Sequence, residues 1–308
     1  MGSIVRPAAA RAARGARTVR QEEAILRRVL PLPALLFLGA MLIFPVAYTL
    51  YMSFHAWQGN PMRPAVWMGI DNYIRMLTSD DRYWNAVLNT FYFTFAAVTA
   101  QSVLGTLIAL LLNRDFRGAR LVRAVIMLPM MATWVATALV WMWMMHPSMG
   151  VLNYILGRLG LPASLWINNA STVIPSLILI DTWQWTPLIT LIVLAGLAAL
   201  PREPFESAMI DGASAFQRFW HITLPLLRPV IITAIIIRSI DCLKTYDIIM
   251  AITQGGPGFA SENLNIYTFQ TGLFYFRIGY ASSLIVSLFV IVFASSVILG
   301  RVRRRFAE

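Results

Sequence analysis

Six stretches of this chain are long and apolar enough to cross a bilayer, whose hydrocarbon core takes about 20 residues of helix. They fall at 31–54, 86–112, 121–145, 172–199, 229–252 and 281–300. Leu, Ile, Val, Phe, Ala and Met dominate their interiors, and the prolines inside them (Pro45, Pro129, Pro175, Pro187) are tolerable in membrane helices, where neighbours re-satisfy the freed backbone. The expected fold class is therefore an all-α integral membrane protein with six transmembrane helices.

Composition agrees. Apolar residues make up 58% of the 308 and charged residues only 13%. A soluble domain carries roughly 25% charged residues, so a water-soluble globule of this size could not cover its surface. The single cysteine, Cys242, excludes an internal disulfide and reads as a small packing residue. The net charge of +11 comes almost wholly from arginine; Lys244 is the one lysine. No segment is polar enough to form a basic nucleic-acid-binding domain, so no nucleic-acid partner is expected. Membrane topology explains the charge better. With both termini cytoplasmic, 18 arginines fall inside and 5 outside, the bias that sets orientation. Residues 1–30 are then a retained basic cytoplasmic tail, 31–300 the membrane domain and 301–308 a second basic tail. Trp57, Trp67, Tyr83, Trp84, Trp166 and Tyr280 are expected as an aromatic belt at the outer boundary.

Catalytic machinery is missing from the sequence. Lys244-Thr245 has Leu243 where a phosphate-binding P-loop needs glycine. His55, His146 and His221 are scattered and make no metal pattern, and no Gly-x-Ser-x-Gly elbow occurs. No metal site and no bound cofactor are expected. The pattern suits a conduit or receptor; a membrane-embedded enzyme built on Asp181 or the fifth-span charges is the competing class.

The segment joining the fourth and fifth spans, 201–229, is far longer than a turn requires. Pro204 suits a first helical position. Phe205, Ala208 and Met209 share a helical face, and Gly212 can supply the positive φ that ends a short helix. Phe216, Phe219, Trp220 and Leu224 mark a second apolar face, with Pro225 and Pro229 expected to stop it before the next span. Two readings follow: a pair of interfacial helices lying on lipid, or a protruding helix that docks in a groove on a cytoplasmic partner.

Within that segment, Glu206-Ser207-Ala208, Gly212, then Ile222, Leu224 and Pro225 closely resemble the EAA loop of binding-protein-dependent ABC transporter permeases, with Ser207 in place of the middle alanine. Asp211-Gly212-Ala213 and Pro229 resemble the carbohydrate-importing branch. So do Lys244-Thr245-Tyr246-Asp247, Thr253-Gln254-Gly255-Gly256-Pro257-Gly258, Gly69-Ile70-Asp71-Asn72-Tyr73 and Gly279-Tyr280-Ala281. The resemblance covers roughly 30–300, is of the maltose and glycerol-phosphate type, and implies type I importer architecture with one member of a permease pair. It implies as partners a second permease subunit, two cytoplasmic ABC ATPases and an extracytoplasmic sugar-binding protein, besides membrane lipid. ATP and Mg would sit on the ATPases. It implies ATPase coupling at Glu206, Ser207, Ala208, Asp211, Gly212, Ala213, Ile222, Leu224 and Pro225, and a prokaryotic plasma membrane. A same-family permease for a non-sugar solute remains the nearest alternative.

The fifth span adds Arg238, Asp241, Lys244 and Asp247 at a spacing of three. Each charge costs about 2.5–3.5 kcal/mol at mid-membrane on insertion scales. Alternating signs three residues apart can pair, as Arg238–Asp241 and Lys244–Asp247, with Asp241–Lys244 as competitor. The set is either a self-neutralising structural ladder or part of the solute pathway. Asp181, Trp183, Gln184 and Trp185 of the fourth span lie at similar depth. Carbohydrates need carboxylates and amides for hydroxyls and flat aromatics for ring faces. By the resemblance, the pathway residues are expected at Gln184, Trp185, Leu188, Asp241, Lys244 and Thr245, with Trp183 left to lipid and Asn89 and Thr90 as weaker candidates.

Overall fold

The structure is a computed structural model that describes residues 27, 29–60, 62–114 and 116–307. The basic N-terminal tail expected over 1–30 lies almost wholly outside the described residues. The chain divides into two units, the first ending at Met52 and the second running from Ser53.

The first unit holds α1 (Leu32–Met52), apolar throughout with Pro45 inside it. Its 21 residues reach about 32 Å at 1.5 Å per residue, enough to cross a bilayer.

The second unit is helical apart from a two-residue hairpin pair, β1 (His55–Ala56) against β2 (Val66–Trp67). A short helix α2 (Asp71–Thr78) leads into the 32-residue α3 (Asp81–Leu112), capped by the Asp80 side chain on the Tyr83 amide. After α4 (Ala119–Met131), α5 (Trp134–Met144) and α6 (Val151–Arg158) comes α7 (Val173–Ala198). Then follow the short helices α8 (Glu203–Ile210) and α9 (Ala215–Arg218), α10 (Leu224–Leu243), α11 (Asp247–Ile252), α12 (Leu264–Phe269) and the 30-residue α13 (Ile278–Ala307).

The bundle is built on α3 and α7, which pack against each other more extensively than any other pair, with α10 against both. Their order is legible from contacts. Gln101 meets Asp181, and Gly105 faces Thr186 and Ile189, so α3 and α7 run parallel. Arg238 meets Asp181 while Gly196 faces Leu227 and Val230, so α10 runs antiparallel to α7. Gly105 permits the closest approach: a Cβ there would lie 2.9 Å from the Ile189 side chain. Small residues at such crossings are the usual way helices pack where lipid removes the hydrophobic drive.

Among the described residues four helices, α1, α3, α7 and α13, are long and apolar enough to span, matching the first, second, fourth and sixth expected spans. The other two depart from expectation. The third, expected unbroken over 121–145, is α4 and α5 meeting at a 95° bend. Pro129 lies in the last turn of α4, and Ala132 and Thr133 are extended (ψ 140° and 149°). The fifth, expected over 229–252, is α10 followed by α11, broken across Lys244–Tyr246. The start of α10 also differs. Pro225 and Pro229 do not stop the preceding helix, which passes from α9 through a π-helical turn, Phe219–Thr223, straight into α10. The Leu224 amide reaches back five residues to Phe219 O. That wider turn relieves the clash a proline ring makes with the carbonyl one α-turn back.

Candidate functional site: a charged cavity and a protruding loop

At one end of the second unit, α8 and α9 form the expected helix–glycine–helix loop. Pro204 sits in the first turn of α8, and Gly212 adopts φ 75°. The Ala213 amide donates to Ala208 O at 2.9 Å and the Gly212 amide to Met209 O at 3.2 Å. This double closure is a Schellman stop, which needs the left-handed residue that glycine provides. A capping box follows at once: the Gln217 amide donates to Ser214 Oγ, and the Ser214 amide to Gln217 Oε1. The loop's shape is thus specified by its own backbone. Glu206, Ser207, Asp211 and Pro225 are exposed; Ala208, Ala213, Ile222 and Leu224 are half-buried. A concavity of about 360 Å³ is lined by Ala208, Asp211, Gly212, Ala213, Arg218 and Ile222, among others. Ile210 and Phe216, next in sequence to the lining residues Asp211 and Gln217, stand 87% and 72% exposed. A Cβ at Gly212 would touch nothing within 4 Å, so the glycine is required by its φ and not by crowding inside the chain.

A second cavity, of about 340 Å³, opens where α10 breaks. Trp134, Trp185, Arg238, Asp241, Lys244, Thr245, Tyr246, Asp247 and Ile248 line it. Of the six residues expected on the solute pathway, the structure brings Trp185, Asp241, Lys244 and Thr245 together here. Leu188 is half-buried elsewhere on α7. Gln184 is buried and donates through Nε2 to Ala132 O at 3.3 Å, satisfying a carbonyl freed by the α4–α5 bend. Trp134, unexpected here, is the first residue of α5. The bend aims it at Trp185, with ring centroids 5.6 Å apart. A continuous span gives no such signal. Trp183 is exposed.

The charge ladder is resolved differently from either expected pairing. Arg238 does not pair with Asp241. Its Nη2 donates to Asp181 Oδ2 of α7 at 2.6 Å and its Nε to Gln101 Oε1 of α3 at 2.8 Å. Gln101 Nε2 completes the ring by donating to Asp181 Oδ2 at 2.7 Å. Arg238 is turned toward the core, so a partner on a facing helix can desolvate with it, whereas Asp241 faces the cavity. Lys244 does not meet Asp247, because the helix breaks between them. It lies 4.0 Å from Asp241, and both are about half exposed. Cys242 is buried with Sγ 3.8 Å from Asp181 Oδ2, consistent with a packing role.

The break itself is held from another element. Asn265 Nδ2 donates to Lys244 O at 2.6 Å and Asn263 Nδ2 to Thr245 O at 2.5 Å. These asparagines belong to a compact lobe around α2, α12 and the start of α13. In it Arg82 donates two hydrogen bonds to Glu262, Nε to Oε2 at 2.7 Å and Nη2 to Oε1 at 2.6 Å, and its Cζ lies 3.9 Å from the Phe259 ring centre. Asn89, a weaker pathway candidate, instead donates to carbonyls of this lobe, and Thr90 Oγ1 accepts from the Leu264 amide. Two members of the expected aromatic belt also belong inside. Tyr83 is buried on Ser287, its Oη 2.6 Å from Ser287 Oγ. The buried Tyr280 donates to Asp80, as does Tyr267 at 2.5 Å. Burial and then this hydrogen bond push the Tyr267 phenol up, so it stays a donor. Among the described residues no group of His, Cys, Asp or Glu could hold a metal ion.

A mostly helical membrane domain with a polar cavity at a helix break and a rigid loop at the bundle's end defines a transport component. Residues 101–308 match the family of binding-protein-dependent transport system inner membrane components, and the chain belongs to that family. It is 35% identical over 293 residues to the trehalose/maltose transport system permease protein MalF of Thermococcus litoralis, covering 93% of this chain and 97% of that protein. It is 32% identical to the sulfoquinovosyl glycerol transport system permease protein SmoG of Agrobacterium fabrum, covering 91% of each. The fold is that of a chain in a bacterial alginate ABC transporter in complex with alginate pentasaccharide-bound periplasmic protein: TM-score 0.79 at 20% identity, over 95% of this chain and 98% of that one. A chain of the MetNI methionine ABC transporter is more distant, with TM-score 0.54 at 18% identity over 72% of this chain and 95% of that one. The chain is thus a multi-pass permease of type I importer architecture and a component of an ABC transport system.

Proposed function

We propose that this chain is one permease subunit of an ATP-driven importer for a sugar: a mono- or oligosaccharide or a polyol. The observation that carries the reading is the cavity at the α10 break. Trp134, Trp185 and Tyr246 offer flat apolar faces beside Asp241, Lys244 and Asp247, the mixture that carbohydrate rings and hydroxyls require. The relatives named for trehalose/maltose and for sulfoquinovosyl glycerol support the same class.

In this reading a second permease closes the other side of the pathway. Two cytoplasmic ATPases, which hold ATP and Mg, grip the loop at Glu206–Pro225, and an extracytoplasmic binding protein delivers the sugar. Both termini face the cytoplasm of a prokaryotic plasma membrane, as the arginine distribution favours. Support for the coupling role is physical. The loop is locked by a Schellman stop and a capping box, so it transmits displacement without bending, and it exposes Ile210 and Phe216 for a partner groove. Closure of the ATPase pair would push α8 and α9 as one piece and, through the unbroken connection into α10, move the cavity wall.

The test is co-purification of the chain with the products of its neighbouring genes, then ligand screening of the co-purified binding protein and uptake of the ligand found into proteoliposomes. A binding protein that takes amino acids or polyamines and no sugar would overturn the solute class. Impermeant labelling of Phe216 or Trp220 positions from outside would overturn the orientation.

A further inference from the structure

The buried charge cluster between α3, α7 and α10 does more than neutralise itself. Arg238, 2% exposed, is fixed by Asp181 and Gln101 on two different helices. Its Cζ then lies 4.8 Å from the centre of the Trp185 ring, one helical turn beyond Asp181. Trp185 lines the cavity, and its indole N–H is buried with no hydrogen-bond partner among the described residues. No polar bond therefore orients that ring. What does are the tilted Trp134 and the guanidinium. A cation over an indole face attracts it most strongly when desolvated, as here, and the planar guanidinium can hold two acceptors and stack at once, which an ammonium cannot.

We propose that Arg238 is a positioning residue that acts through Trp185. Held by Asp181 and Gln101, it clamps the indole as a rigid wall of the cavity. What the wall serves rests on the pathway reading above. The clamp itself does not, so the two can fail separately.

The experiment uses the assembled transporter in lipid nanodiscs with fluorotryptophan in place of tryptophan, read by fluorine NMR without added solute. Trp185→Phe assigns the Trp185 signal by its loss. Arg238→Lys keeps the charge beside Asp181 but removes the planar guanidinium over the ring. Gln101→Met removes an Arg238 acceptor and a donor to Asp181, while leaving Trp185 and both charges of the ion pair in place. The Trp185 signal is expected to shift or split in both variants, while those of Trp57 and Trp84, in the lobe, stay in place. A Trp185 signal unmoved by both variants overturns the proposal. So does a shift of all signals together, the mark of a purely structural role. If Arg238→Lys does not assemble, Gln101→Met decides alone.

Discussion

Asn263 reaches from α12 to the carbonyl oxygen of Thr245 at 2.5 Å, joining the lobe to the broken end of α10. Its other amide atom, Oδ1, accepts from the Ile266 amide at 2.9 Å and caps α12. Asn263→Asp keeps the cap and loses the donor. Losing this part-buried hydrogen bond costs about 0.5–1.5 kcal/mol. The expected outcome is a lower Tm of the purified complex and slower uptake, with membrane insertion unchanged. An Asn263→Asp complex that melts and transports as the unaltered one does would show that the bond holds nothing.

Asp181 and Arg238 form a pair buried at 1% and 2% exposure. Removing one partner of a buried pair costs about 3–5 kcal/mol, whereas replacing both by apolar residues is often neutral. Asp181→Leu alone should sharply reduce assembled complex, and Asp181→Leu with Arg238→Met should recover much of it. Quantitative immunoblots of membranes compare the two; equal loss in the single and double variants would contradict the pairing.

Gly105 has no room for a side chain, because a Cβ would sit 2.9 Å from the Ile189 side chain. Overpacking of this kind costs about 1–3 kcal/mol. Gly105→Ala should lower the Tm, and adding Ile189→Ala should restore part of it. Additive destabilisation in the double variant would place the effect elsewhere.

Gly212 differs, since its Cβ position is empty and only its φ of 75° excludes other residues. A left-handed L-residue costs roughly 1–2 kcal/mol. Gly212→Leu should insert normally but lose uptake and binding-protein-stimulated ATP hydrolysis, while Gly212→Asn, which tolerates this φ, should retain most of both. The measurement is stimulated ATPase activity per assembled complex.

Lys244 is half exposed in the cavity and its Nζ stands 4.0 Å from Asp241 Oδ1, a loose pair worth little to stability. Lys244→Ala should change the KM of uptake and leave assembly near normal, since exposed pairs contribute roughly 0–1 kcal/mol. A loss confined to assembly would make it structural.

Much of this was legible in the amino acids, and the divide is physical. Long apolar runs give α1, α3, α7 and α13 within a few residues, because membrane helices satisfy their own backbone and need no partner to declare them. The α8–Gly212–α9 loop was legible because caps and a left-handed glycine are local signals. The 95° corner was not: Pro129 is compatible with a mild kink, and nothing nearby says that Ala132 O will find Gln184. The partner of Arg238 was missed for the same reason. Spacing within α10 exposes Asp241 as a neighbour, but Asp181 is 57 positions away and becomes adjacent only when α7 and α10 pack. Arg82 and Glu262, 180 positions apart, leave no periodic trace at all.

The corner at Ala132 has a mechanical corollary. Its freed carbonyl is held by Gln184, and the first ring beyond it leans on Trp185, so consecutive residues of α7 template the turn. Rotation of α7 about its own axis would strip both restraints simultaneously and let α4 and α5 straighten or swing. Any opening of the cavity that turns α7 is therefore tied to the angle of this corner.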